Sequence, residues 1–236
     1  MMREFIAKSP SSLKALNTLR VSASLPVNIL VVGEEGVGKK SLVRSVFKDI
    51  KEVGAKDVAK SAQKELFVTD LEQCVDIVGL MKRASSKRII ATSTKMLDIY
   101  EEFFPVILHL PPLKERKEDL KELKRLYMEE LRSDFGIELK EDISPDISQN
   151  AISLKRDIYL KGLLSSMSED DLLYFMQRHL EPRLEEGYKK LLYLFDVPIL
   201  RAARKKYGSN LAISKALELN RATVTSKINR YKDFIE

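Results

Sequence analysis

Apolar positions in the first 110 residues fall into short, dense runs separated by charged stretches. VNILVV at 27–32, LFV at 66–68, RIIAT at 88–92 and PVILHL at 105–110 carry too few polar positions for a strand with one wet face. Runs of this kind suit strands buried on both faces of a parallel sheet. Lys51–Val53 is a shorter candidate for one more strand. Helical patterns lie between the runs, at Ser41–Phe47, at Lys56–Lys64 and around Cys74–Arg83. Strands alternating with helices predict an open, parallel α/β sheet.

The pattern changes after Pro111-Pro112. Leu120, Leu123, Tyr127 and Leu131 recur at helical spacing with charge on the other faces, and Gly136 supplies a stop. Further helices are expected across 150–180, and Glu181-Pro182 reads as a linker. From Pro198 the text predicts a helix with its proline in the first turn, closed by Gly208. Asn210 is expected to cap a second helix, Leu211–Leu217, with Ile213, Ala216 and Leu217 facing inward. A tight turn at Glu218-Leu219 leads to a last helix capped by Asn220, with Val224, Ile228 and Tyr231 inward. The division expected is an α/β domain over 1–112, a helical subdomain over 113–180 and an all-α domain over 181–236. No internal repeat or low-complexity tract interrupts this order.

Charge sharpens the picture of the C-terminal part. Residues 197–236 hold nine Lys/Arg against three acids, a surplus of six that equals the net charge of +6 for the whole 236-residue chain. The rest is balanced, so a polyanion is the expected partner of the tail. The single cysteine, Cys74, excludes an internal disulfide framework and fits a reducing compartment. Two histidines far apart, His109 and His179, do not make a dedicated zinc site. With no apolar run of membrane-spanning length, a cytoplasmic location is expected.

Between the first strand and the helix after it stands Gly33-Glu34-Glu35-Gly36-Val37-Gly38-Lys39, followed by Lys40 and Ser41. The spacing G-x-x-x-x-G-K is that of a phosphate-cradling loop: glycines let backbone N–H groups converge on phosphate oxygens, and the lysine reaches the terminal phosphates. The Ser/Thr that usually touches magnesium is replaced by Lys40. A sound strand-to-helix turn without a ligand is the alternative reading of the same text.

FIAKSP at 5–10, the loop, RIIATST at 88–94 and LPPLKERKEDL at 110–120 occur in that order. Together they resemble the central AAA+ ATPase module of bacterial enhancer-binding proteins, the sigma-54-dependent activators of the nitrogen-regulator type. There the strings run like F-x-G-x-S-P, R-I-I-A-A-T-N and L-P-P-L-R-E-R-x-E-D-I. GSNLAISKALELNRATVTSKINRY at 208–231 resembles the Fis-type DNA-binding domain that commonly follows this module. Glu218 replaces that domain's turn glycine, and Ile213-Ser214 its alanine pair. The resemblance implies an AAA+-like P-loop sheet, a helical lid and a helix-turn-helix. It also implies ATP or ADP as ligand, with magnesium when nucleotide is bound, at Gly33–Ser41 and Asp70. Double-stranded DNA is the implied partner, bound by a homodimer through the C-terminal domain. Arg221, Thr223 and Lys227 are expected in a groove, with Asn220, Arg204, Lys205 and Lys206 near phosphates and Asn210 and Arg230 beside them.

Other parts of that family's pattern are absent. Its acidic pair aligns with Thr69-Asp70 of ELFVTDL, with Leu71 next, so the hydrolytic glutamate is missing in either register. Thr94 stands at the sensor asparagine, Glu101 and Glu102 in the arginine-finger region, and Ser153 at the second sensor. Phosphoryl transfer rests on positioning and charge stabilisation, and loss of an arginine finger costs about three to five decades in rate. Thirty residues separate Lys39 from Asp70, and the G-A-F-T-G-A loop that touches sigma-54 is not among them. The expected function is therefore a DNA-binding transcriptional regulator with a degenerate AAA+ module, inactive on sigma-54 polymerase and with no catalytic residue assigned. A slow ATPase that switches DNA binding or assembly, and a Fis-like nucleoid-structuring protein, are the alternatives.

Overall fold

A computed structural model describes residues 4–139 and 143–235. The chain divides into two compact units, Met1–Ser166 and Met167–Glu236. The helix expected at the end of the middle subdomain, Glu169–Leu180, belongs to the second unit.

The first unit is built on five parallel strands, β1 (Ile29–Val32), β2 (Glu52–Val53), β3 (Glu65–Val68), β4 (Arg88–Ser93) and β5 (Val106–His109), in the order β2-β3-β4-β1-β5. Every residue of β1 is buried, because β1 is paired on both edges and covered on both faces. In register, Ile29 lies beside Ile90 and Val106, and Val32 beside Ser93 and His109. Successive side chains of a strand point to opposite faces, and the core splits accordingly. Ile29, Val31, Phe67 and Ile90 pack with Leu16 and Leu19 of α1 (Pro10–Ala23) and Leu42 and Val43 of α2 (Lys39–Val46). Leu30, Val32, Leu66 and Val68 pack on the other side with Leu80 and Met81 of α3 (Ile77–Arg83) and Tyr100 of α4 (Ile99–Phe103).

Two expected helices are shorter than their sequence patterns. Lys56–Lys64 yields one 3-10 stretch, Ala55–Lys60, in which only Val58 is buried and there is no apolar stripe to extend. The helix expected from Cys74 begins at Ile77, where the Asp76 carboxylate accepts from the Gly79 N–H at 2.7 Å and sets the start.

α5 (Lys117–Phe135) ends at Gly136, whose φ of 70° gives the predicted stop, and it packs on α6 (Asn150–Ser166). Tyr127 and Leu131 are buried against Leu154 and Ile158, with Leu120 and Leu123 partly buried beside them.

The two most separated strings of the sequence, FIAKSP and LKERKEDL, meet at Asp119. Its Oδ1 accepts from the backbone N–H groups of Lys8 and Ser9 at 2.6 and 2.7 Å. Its Oδ2 accepts from Ser12 and, at 3.2 Å, from Arg116. Arg116, only 2% exposed, also donates to the Val37 carbonyl at 2.6 Å. This buried pair holds the N-terminal segment and the glycine-rich loop in one bonded unit.

The second unit is all helical: α7 (Glu169–Leu180), α8 (Tyr188–Leu191), α9 (Tyr193–Tyr207), α10 (Asn210–Ala216), α11 (Arg221–Arg230) and α12 (Lys232–Ile235). Glu181-Pro182 is not a linker: a 3-10 turn, Glu181–Glu186, follows α7 directly, with Pro182 in its first turn, where a missing N–H costs nothing. Pro198 lies inside α9 rather than at its start, since the helix begins upstream at Tyr193. Val197, Leu200 and Tyr231 form one small core, and Ala203, Ile213 and Val224 another. No helix among the described residues is long and apolar enough to cross a membrane.

Candidate functional site

Glycine-rich loop 33–38 leaves the carboxyl end of β1 and feeds α2. In parallel α/β sheets ligands bind beyond the carboxyl ends of strands, and the other candidate residues follow β3 and β4 at the same edge. Gly36 (φ 76°) and Gly38 (φ 100°) take the left-handed region that only glycine enters without strain. A side chain at Gly36 would also sit 2.4 Å from the Gln149 carbonyl. Gly33, whose N–H donates to the Ser93 carbonyl at 3.1 Å, ties the start of the loop to the end of β4.

Asn150 closes the loop from the other side. It is 3% exposed and left-handed (φ 53°). Its amide donates to Glu34 Oε2 at 3.1 Å and to the Glu35 carbonyl at 2.9 Å, and its Oδ1 accepts from the Leu113 N–H at 2.6 Å. The Ala151 N–H donates to the Gly36 carbonyl. Sequence reasoning passed over Asn150. Ser153, at the second-sensor position, turns inward instead: its hydroxyl accepts from the Gln149 N–H at 2.9 Å and it is fully buried.

Lys39 is 8% exposed, and its ammonium donates to the carbonyls of Gly33 (2.6 Å) and Glu34 (2.8 Å). Burial draws its pKa below the ordinary lysine range, against the pull of Glu72, Asp70 and Glu35. It is a cation folded onto the loop's own backbone. Val37 is buried, and Ser41 is half-buried in the first turn of α2.

The opposite wall carries different chemistry. Lys40 Nζ lies 3.5 Å from both Asp70 Oδ2 and Glu52 Oε1. Glu52 is also bound by Arg44 and accepts from the Thr69 hydroxyl at 3.3 Å. Magnesium favours oxygen donors in near-ideal octahedral geometry. Here Asp70 and Glu52 are already neutralised by an ammonium and a guanidinium, and the expected hydroxyl ligand is itself the ammonium. The residues present do not fit the magnesium that the sequence resemblance implied.

Asp70 adopts a left-handed φ of 54° and starts a 3-10 turn, Leu71–Gln73. That turn carries Glu72 to the site, which the sequence reading, stopping at Leu71, missed. Thr94 Oγ1 donates to Glu72 Oε1 at 2.6 Å. Burial opposes the charge on Glu72, but hydrogen bonds from Thr94, from backbone N–H groups and from Ser93 outweigh it and hold the carboxyl below the usual range. Its Oε2 is buried with no hydrogen-bond partner of good geometry among the described residues. The sequence signal was an acid two places after the strand aspartate, where a tight turn shortens the path. Glu101 and Glu102 of the finger region are exposed on α4.

In the second unit Ser209, not Asn210, caps α10, accepting from the Ala212 N–H at 3.2 Å. Asn210 instead donates to Thr225 Oγ1 at 3.3 Å, joining α10 to α11. Ser214 is buried where Ala216 was expected to be. Glu218 holds the inter-helix turn at φ 53°, the conformation a glycine would take for free. Asn220 caps α11 as predicted, accepting from the Ala222 N–H at 2.9 Å. Arg221, Thr223 and Arg230 are exposed, as are Arg204, Lys205 and Lys206 on α9. Lys227 is committed within the unit, its ammonium 2.5 Å from Asp196 Oδ2. A shallow groove on the outer face of α11 is lined by Arg221, Ala222, Thr225, Ser226 and Asn229. Ser226 and Asn229 line this groove without having been singled out in the sequence.

Strand order, the glycine-rich loop at the carboxyl end of β1 and the helices on both faces make an AAA+-like P-loop fold. Solved structures share it. NtrX from Brucella abortus in complex with ADP matches with a TM-score of 0.57 at 15% identity, over 96% of this chain and 68% of that one. The same protein in complex with ATP gives 0.56 at 14% identity, over 97% and 69%. The Thermotoga maritima RuvB Holliday junction branch migration motor gives 0.50 at 17%, over 94% and 85%. At these identities the likeness is one of fold. No protein-family model matches the sequence, and no curated protein matches it.

Proposed function

We propose that this chain is a sequence-specific DNA-binding transcriptional regulator whose AAA+-type body holds a nucleotide and does not activate sigma-54 polymerase. The observation that carries the reading is the α10–α11 pair. Two side-chain caps, Ser209 and Asn220, and a left-handed turn at Glu218 present the first turn of α11 to solvent with Arg221 on it. This is helix-turn-helix logic: the second helix meets base edges, while flanking bases and the helix start hold phosphates. Arg204, Lys205 and Lys206 supply a basic flank one helix away. Homodimerisation through the second unit is part of the reading, with exposed Leu172, Leu173, Tyr174 and Phe175 of α7 as apolar surface for it. The structures of NtrX in complex with ADP and with ATP support nucleotide as the ligand of loop 33–39. Genome-wide occupancy tests the proposal: a limited set of sharp sites supports it, and broad, sequence-independent coverage replaces it with a nucleoid-structuring role.

A second reading, a slow ATPase whose cycle switches DNA binding, is favoured by Glu72 alone. A half-buried carboxylate with one oxygen unpartnered and the other held by Thr94 is a fit acceptor for a proton of an attacking water. Phosphate release that exceeds a Lys39→Ala control and falls at least about tenfold in Glu72→Gln supports this reading. Release equal to the control removes it.

A further inference from the structure

Position 40 is the first residue after the loop lysine, on the first turn of α2. In phosphate-cradling loops a hydroxyl there touches the metal that bridges the phosphates. In this chain the position carries an ammonium on a four-carbon stem, half exposed and seated between two carboxylates, Asp70 and Glu52, at 3.5 Å from each. Ser41 does not take over the hydroxyl's place, because one residue along a helix turns the side chain about 100° round the axis.

We infer that this chain binds its nucleoside di- or triphosphate without a divalent metal, the Lys40 ammonium supplying the positive charge that a metal beside the usual hydroxyl supplies in other phosphate loops. The inference rests on the reading of loop 33–39 as a nucleotide cradle. It differs from that reading in what neutralises the phosphates.

Two neighbouring ammoniums, Lys39 and Lys40, then face the phosphate chain from the same end of α2. Lys39 is fixed by the Gly33 and Glu34 carbonyls. Lys40 is held by ion pairs at the outer limit of contact distance, and its side chain is 47% exposed, so it can swing from Asp70 to a phosphate oxygen. Glu52 stays neutralised by Arg44 when it does. A dication entering beside Asp70 would meet the Lys40 ammonium, and like charges repel. Hydrolysis draws on metal charge at the transferring phosphoryl group, so a lysine-served site favours holding nucleotide over spending it.

The test is calorimetric titration of ATP and ADP into the whole chain, once with magnesium chloride and once with EDTA, beside Lys40→Ser, Lys40→Arg and Lys39→Ala. Wild-type affinity is expected to agree within about threefold between the two buffers, and Lys40→Ser to lose about tenfold or more in EDTA and recover with magnesium. Lys40→Arg, which keeps the cation, stays metal-independent. A wild-type affinity that collapses in EDTA overturns the inference and leaves nucleotide binding standing. So does a Lys40→Ser variant that binds as well as wild type in EDTA. Absence of heat for the wild type in both buffers removes the nucleotide reading itself and this inference with it.

Discussion

In the first unit the charged groups that organise the site are sunk beneath the surface: Lys39 is 8% exposed, Arg116 2% and Asp119 0%. Each is bonded to backbone N–H or carbonyl groups, Lys39 to its own loop and Arg116 and Asp119 to distant segments. In the second unit Arg204, Lys205, Lys206, Arg221 and Arg230 lie exposed, and α7 buries no residue. The difference is one of where the partners lie, for in the first unit most are internal, and among the described residues only single atoms such as Arg116 Nε and Glu72 Oε2 are buried without a hydrogen bond. A buried polar network must be satisfied internally, since an orphaned group in low dielectric is costly. Exposed bases and the exposed Leu and Phe of α7 have no such internal requirement, and on the proposed function they meet a polyanion and apolar surface. On the proposed function, the first unit holds a small ligand and the second meets macromolecules.

Breaking the buried pair should separate the two units most strongly. Arg116→Ala removes the cation paired with buried Asp119 and frees the Val37 carbonyl, a change that costs about 3–5 kcal/mol where a buried partner is removed. In thermal unfolding of the whole chain the transition of the first unit is expected to fall while that of the second holds its midpoint. A common shift of both would show that the units do not differ as described. Next in size is Asn150→Ala, which removes three hydrogen bonds from the loop and its support. A loss of about 1–3 kcal/mol in stability is expected, together with weaker nucleotide binding. Unchanged nucleotide affinity would relegate Asn150 to packing.

Arg221→Ala should leave stability within about 0.5 kcal/mol, as for other surface changes, yet cost about 1–3 kcal/mol in binding to a specific site. Equal losses on specific and random DNA would reassign it to the phosphate backbone. Smallest in stability, Leu173→Asp with Phe175→Asp alters exposed positions and should move midpoints by no more than about 0.5 kcal/mol. The pair is expected to shift the chain from dimer to monomer in sedimentation. An unmoved dimer would take α7 out of the dimer interface.

The sheet was legible because each strand is a short, doubly buried apolar run, and all five fall where VNILVV, LFV, RIIAT, PVILHL and Lys51–Val53 placed them. The capped start of α11 at Asn220 was legible for a local reason, since a side chain need only reach its own helix. What escaped depended on distant contacts. Asn150 gains its role from a loop 115 residues away, and Asp119 gains its own from Lys8 and Ser9. Glu72 was hidden by a 3-10 turn that a strand-register argument cannot see. Asn210 and Ser209 exchanged roles by one residue, the ordinary slip at a helix start, because both can cap and only the packing against Thr225 decides.

The most direct test of the regulatory account is fluorescence anisotropy of the whole chain at physiological salt. It compares a fragment recovered by genome-wide occupancy with a scrambled duplex of equal length, for wild type and Arg221→Ala. A wild-type preference of about a thousandfold that shrinks sharply in the variant is the result the account predicts. Equal affinity of the wild type for both duplexes would contradict it.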